Sequence, residues 1–183
     1  LGSMGASVET VIAQNPDMAP GDVFVLNAPY NGGTHLPDVT IIAPVYDEAG
    51  QEKLFYVAAR GHQADIGGIT PGSMPAHSKS VEEEGILIDN FKLVEKGTFR
   101  EKAIRELLSS GPYPARSPNQ NIADLRAQIA ACEKGAQELR KLAAQFGLET
   151  VNAYMAHVQD NAEESVRRVI TRLKNGSFEQ EMD

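Results

Sequence analysis

The stretch VTIIAPVYDEAGQEKLFYVAA, residues 39–59, decides the fold. Val39-Thr40-Ile41-Ile42-Ala43-Pro44-Val45-Tyr46 is rich in β-branched residues and almost without polar positions. Lys53-Leu54-Phe55-Tyr56-Val57-Ala58-Ala59 reads the same way, and Glu48-Ala49-Gly50-Gln51 between them is a turn. Two such runs across a short Gly-containing link predict a β-hairpin. Runs this continuously apolar predict strands covered on both faces.

Outward from the hairpin, Asp22-Val23-Phe24-Val25-Leu26 predicts another strand. Before it, Val8, Val11 and Ile12 space as a short helix over Ser7–Ile12, ended by Asn15-Pro16. After the hairpin, Gly67 to Ser78 is dense in Gly, Pro and Ser and predicts an irregular loop. Ile86-Leu87-Ile88 and Phe91-Lys92-Leu93-Val94 suit short strands, and Arg100–Leu108 a helix stopped by Ser-Ser-Gly-Pro.

The remainder is helical. Ile122, Leu125, Ile129, Cys132, Ala136, Leu139, Leu142 and Phe146 recur at steps of three and four, with Gly147 as the stop. Val151, Met155, Val158, Ala162, Val166, Ile170 and Leu173 form a second stripe, stopped by Asn175-Gly176. The spacing predicts helices over 119–146 and 149–174, packed antiparallel through Leu125, Ile129, Leu139, Val151, Val158 and Val166. The expected class is therefore α+β. A mostly antiparallel sheet half, residues 1–98, is followed by a helical half, residues 99–183, with a long antiparallel helix hairpin.

The bulk numbers bound the function. With 183 residues, 42% apolar and 23% charged, the chain has the profile of a soluble globular protein. A net charge of −8 and no compact Lys/Arg cluster argue against nucleic-acid binding. One cysteine, Cys132, excludes an internal disulfide and fits a packing role in a helix. No apolar run is long enough for a membrane span and no signal peptide is visible, so the cytoplasm is the expected location.

Two histidines stand in one short pattern, His35-Leu36-Pro37-Asp38 and His62-Gln63-Ala64-Asp65. One precedes the second predicted strand and the other follows the third, so the open end of the hairpin brings them together. Two imidazoles and up to two carboxylates suit Zn, Mn or Fe. A His beside an Asp is also a common hydrogen-bonded turn. Gly32 and Gly33 flank the first pair, Gly67 and Gly68 the second, and glycine permits close backbone approach. Arg60 ends the third strand, where it could clamp an anionic substrate group or bridge to Asp38 or Asp65. Asn121, Asp124 and Gln128 share one helix face, as do Tyr154, His157, Asn161 and Glu164 on the next. These stripes could line a cleft or be solvated. His77 carries no assignment. Ser73 lacks the setting of a nucleophile elbow. No phosphate loop or dinucleotide fingerprint is present, so ATP is not expected to bind here.

GDVFVLNAPYNGGTHLPDVT, FYVAARGHQADIGGITPGSMP, EEEGILIDNFKLV and NQNIADLRAQIAACEKG together resemble the hydantoinase B/oxoprolinase family. The likeness runs along nearly the whole chain, and GPYPARSPNQNIADLRAQ is most similar to the oxoprolinase branch. It implies a segment of the B region of an ATP-dependent enzyme, 5-oxoprolinase or N-methylhydantoinase, that opens a lactam or hydantoin ring. An acetone-type carboxylase is the alternative, and a mainly structural or interaction segment a further one. By resemblance, His35, Asp38 and His62 are metal ligands and Asp65 is a fourth ligand or the catalytic base. Arg60, Gly32, Gly33, Gly67 and Gly68 would face substrate. Implied partners are a hydantoinase A-type subunit or domain that binds the ATP, the remainder of the B domain and a small cyclic amide, in an oligomeric assembly. The segment alone is expected to be inactive. Relatives often carry a polar residue where this chain has Ala28, which bears on specificity.

Overall fold

A computed structural model describes residues 2–181. Two compact units divide after Gln137. The first is built on a five-stranded sheet with neighbours in the order β3-β2-β1-β4-β5, every pair antiparallel. The strands are β1 Val23–Leu26, β2 Asp38–Tyr46, β3 Lys53–His62, β4 Phe91–Glu95 and β5 Thr98–Phe99. The β2–β3 hairpin is as expected, and its register runs from Tyr46↔Lys53 to Asp38↔His62 at the open end. Ile86–Ile88 does not form a strand. It runs beside β1 through hydrogen bonds to Asn27 and Ala28 instead.

Both faces of the sheet are covered, which explains the missing in-out alternation. Val25, Val39 and Ile41 face one cluster, with Ile104 and Leu108 of helix α3 (Glu101–Leu108) and Ile122, Leu125 and Cys132 of helix α4 (Pro118–Phe146). Phe24, Leu26 and Ile42 point the other way, to Val11 of helix α1 (Met4–Gln14) and Met18. A four-residue helix α2, Val81–Glu84, interrupts the long loop before β4.

Sequence spacing located both long helices, α4 and then α5, Leu148–Thr171. The expected seam is corrected. Leu125 is 2% exposed, but it and Ile129 pack into the sheet cluster. Val158 and Val166 are 67% and 57% exposed, and no α5 side chain is buried. An apolar stripe shows that a helix has one apolar face, but not whether or by what that face is covered. In the second unit, Leu139, Leu142, Phe146, Val151, Met155 and Val158 instead line an apolar groove of about 700 Å³.

Candidate metal centre

The sheet sets two members of the site directly. Asp38 begins β2 and His62 ends β3, and the register places them opposite each other. Cross-strand partners on one face are near neighbours, and the His62 Nδ1···Asp38 Oδ1 distance is 2.8 Å. His35 lies in the loop before β2, with Nδ1 3.4 Å from Asp38 Oδ2. The two imidazoles stack at 5.7 Å between centroids. Each of the three offers a ligand atom, all within 4.8 Å of one another, and this is the metal-capable group among the described residues.

The electrostatics match a cation. Burial alone would raise the Asp38 pKa, but hydrogen bonding and charge from His62 and His35 outweigh it and hold the carboxyl below its usual range. Asp38 is thus an anion between two imidazoles. At a tetrahedral ion, bonds of about 2.0–2.2 Å set the ligand atoms ~3.4 Å apart, so binding would draw the three groups together by about an ångström from their present spread of up to 4.8 Å. Two nitrogens and a carboxylate suit Zn or Mn.

Asp65 does not join this group. Its Oδ1 accepts from Gly67 N and Arg116 N, each at 3.1 Å, and its Oδ2 from Gly72 N at 3.1 Å and Arg116 Nη1 at 2.7 Å. Burial works to raise its pKa, but these four donors outweigh it and leave it lowered. With its lone-pair sites filled, the carboxylate is a poor base. It instead ties the Gly67–Gly72 loop to the segment before α4, where Arg116 Nη2 also donates to Gly68 O.

Arg60 pairs with neither Asp38 nor Asp65. Its Nε donates to Thr40 Oγ1 at 2.7 Å, Nη1 to Ser3 Oγ at 2.7 Å and Nη2 to Ser7 Oγ at 2.8 Å. Ser7 Oγ in turn donates a hydrogen bond to Gly32 O. The guanidinium is thus cradled by hydroxyls, with no ion pair to a described carboxylate and no partner among the described residues for its remaining two N–H groups. It stands on β3 two residues before His62, hence on the same face of the sheet.

The glycines serve close packing. A Cβ on Gly33 would lie 2.3 Å from Asn27 O, and one on Gly67, where φ is +93°, would lie 2.4 Å from Tyr113 O. Gly32 and Gly68 also have positive φ. The polar stripe of α4 is resolved too. Asn121 donates to Gln63 Oε1 and Asp65 O, and Gln128 to Val39 O and Ala59 O, so these residues clamp the sheet end. Tyr154, His157, Asn161 and Glu164 are exposed. Sequence reasoning missed Asn27 and Arg116. Asn27, a polar residue directly after an apolar strand, offered a signal; Arg116, a lone cation in a Pro-rich link, offered almost none.

The family model for hydantoinase B/oxoprolinase matches residues 1–183. The chain is 46% identical to 5-oxoprolinase 1 of Arabidopsis thaliana over 96% of its own length and 14% of that protein. Its structure is similar to the ATP-dependent caprolactamase of Pseudomonas jessenii, with a TM-score of 0.80 at 30% identity, covering 96% of this chain and 30% of that one. A nucleotide-free acetone carboxylase structure, from work on ATP-dependent acetone carboxylation, matches at TM-score 0.71 and 25% identity, over 82% of this chain and 19% of that one.

Proposed function

The chain belongs to the hydantoinase B/oxoprolinase family, and from that premise we propose that it carries the metal-binding part of an ATP-dependent hydrolase that opens a cyclic amide, of the 5-oxoproline or hydantoin type. The observation that carries the reading is the convergence of His35, Asp38 and His62 at the open end of one hairpin. ATP belongs to an A-type subunit or domain, and the location is the cytoplasm, where ATP is supplied.

Amide resonance protects a lactam from water. Phosphorylation of the amide oxygen by ATP, with ADP leaving, removes it. Water can then add to the ring carbon, the ring C–N bond breaks as the nitrogen takes a proton, and a second water releases phosphate from the acyl phosphate so formed. A divalent ion at the triad would supply Lewis acidity there. This chain's residues do the rest. Asp38 orients both imidazoles and contributes the negative charge that retains a cation. Arg60, on the same face and with two N–H groups unpartnered among the described residues, holds an anionic group of the substrate. Asp65 and Arg116 fix the Gly67–Gly72 loop, so we assign Asp65 to loop positioning in place of proton transfer.

Two further readings each have one observation. The likeness to acetone carboxylase favours a carboxylase with the same metal centre. The exposed apolar face of α5 favours an additional docking role for the second unit. In the full-length enzyme supplied with ATP and 5-oxoproline, a hydantoin or acetone, His35→Ala and His62→Ala should each abolish turnover of the cognate substrate. Uncoupled ATP hydrolysis should persist. Equal loss of both activities would point to a folding or docking role for these loops and refute the proposal.

A further inference from the structure

Asp38 and His62 are fixed by the ladder between β2 and β3, but His35 stands in a loop and has no strand to hold it. We propose that Asn27, one residue past β1, is the positioning residue that holds His35 in place for a divalent ion. The inference rests on the metal reading above. Asn27 is 0% exposed. Its Nδ2 donates to Leu36 O at 2.8 Å and to Ile86 O at 2.9 Å, and its Oδ1 accepts from Ile88 N at 2.7 Å. One amide thus joins the residue after His35 to the segment alongside β1.

The loop is pinned on both sides of His35. Upstream, Gly33 N donates to Ala28 O at 2.7 Å, and Gly33 lies so flat on Asn27 that a Cβ would meet Asn27 O at 2.3 Å. Downstream, Leu36 is held by its carbonyl and by its side chain, which is 2% exposed in the sheet cluster. Only an amide side chain satisfies this set, because it combines two donors and an acceptor in one plane. Asn27→Asp keeps the shape but sets a carboxylate oxygen against two carbonyls. Groups outside the ligand shell that orient a metal-binding His typically matter by about 10–100-fold in affinity.

The test uses the full chain and two readouts. Cobalt(II) titration, followed by visible absorption, reports the centre. The nuclear Overhauser contact between the His35 and His62 rings, read without metal, reports the loop. Val45→Ala is the control: Val45 is fully buried and pairs with Phe55 near the closed end of the hairpin. Asn27→Asp should weaken cobalt binding by about 10–100-fold and abolish the inter-ring contact. Val45→Ala should lower Tm comparably and keep both. If Asn27→Asp does not fold, Asn27→Ser, whose smaller side chain admits a water, should show the same displacement. Wild-type affinity and an intact inter-ring contact in the Asn27 variant would overturn the proposal, as would equal losses in Val45→Ala. Absence of cobalt binding by the wild-type chain would refute the metal reading, and the metal-free spectrum would still decide whether Asn27 positions His35.

Discussion

Replacing Arg116 by Met isolates the device that ties the Gly67–Gly72 loop to the segment before α4. The change removes two charge-assisted hydrogen bonds, Nη1 to Asp65 Oδ2 and Nη2 to Gly68 O, each 2.7 Å. Hydrogen bonds to charged groups are worth about 1.5–3 kcal/mol each. The pair is partly screened, since the Arg116 side chain is 39% exposed and that of Asp65 13%. Three backbone N–H groups still serve Asp65. The expected loss is therefore about 1–3 kcal/mol, or a Tm lowered by roughly 2–4 °C per kcal/mol in a chain of this size. The pH dependence has a definite sign. Because the folded-state Asp65 pKa is lowered, its contribution is present above the unfolded carboxylate pKa and is lost as pH falls through the folded value. The deficit of Arg116→Met should thus be full at neutral pH and shrink in acid. Thermal unfolding from neutral to acidic pH measures it, with Arg167→Met as the reference, since the Glu163–Arg167 pair is exposed. A deficit no larger than the reference, or one growing in acid, would refute the reasoning.

Other outcomes follow from burial and close approach. Leu125→Ala, at a site 2% exposed, should cost about 2–5 kcal/mol by denaturant unfolding. Val158→Ala, at a site 67% exposed, should change stability by under about 0.5 kcal/mol, and a large cost there would show that α5 is packed in solution. Gly33→Ala should displace the His35 loop, because its Cβ would meet backbone atoms; cobalt binding at wild-type strength would count against that. Burial pushes the Cys132 thiol up to about 11, so alkylation of the native chain at neutral pH should be slow and become fast in denaturant. Equal rates in both states would contradict the buried position.

The sheet half was legible because strand signals are local. The continuous apolar runs over 39–46 and 53–59 gave the hairpin, and its open end then implied the meeting of Asp38 and His62. The order of the other strands was not legible, because pairing of β1 with β4 joins residues far apart in sequence. Helix spacing located α4 and α5 but not their packing, since Leu125 and Val158 carry the same periodic signal while one is buried against a sheet and the other is exposed. Asp65 shows a similar limit. The repeated His-x-x-Asp pattern suggested equivalence with Asp38, but the two carboxylates differ through partners the pattern does not contain, chiefly Arg116.

The most direct test of the central claim is X-ray absorption on the full chain loaded separately with zinc and manganese, with metal content determined alongside. The account predicts one ion per chain with two imidazoles and a carboxylate in its first shell. That ion should be lost in His35→Ala, His62→Ala and Asp38→Asn and kept in Asp65→Asn. No bound ion at saturating metal, or an ion that survives removal of both histidines, would contradict it.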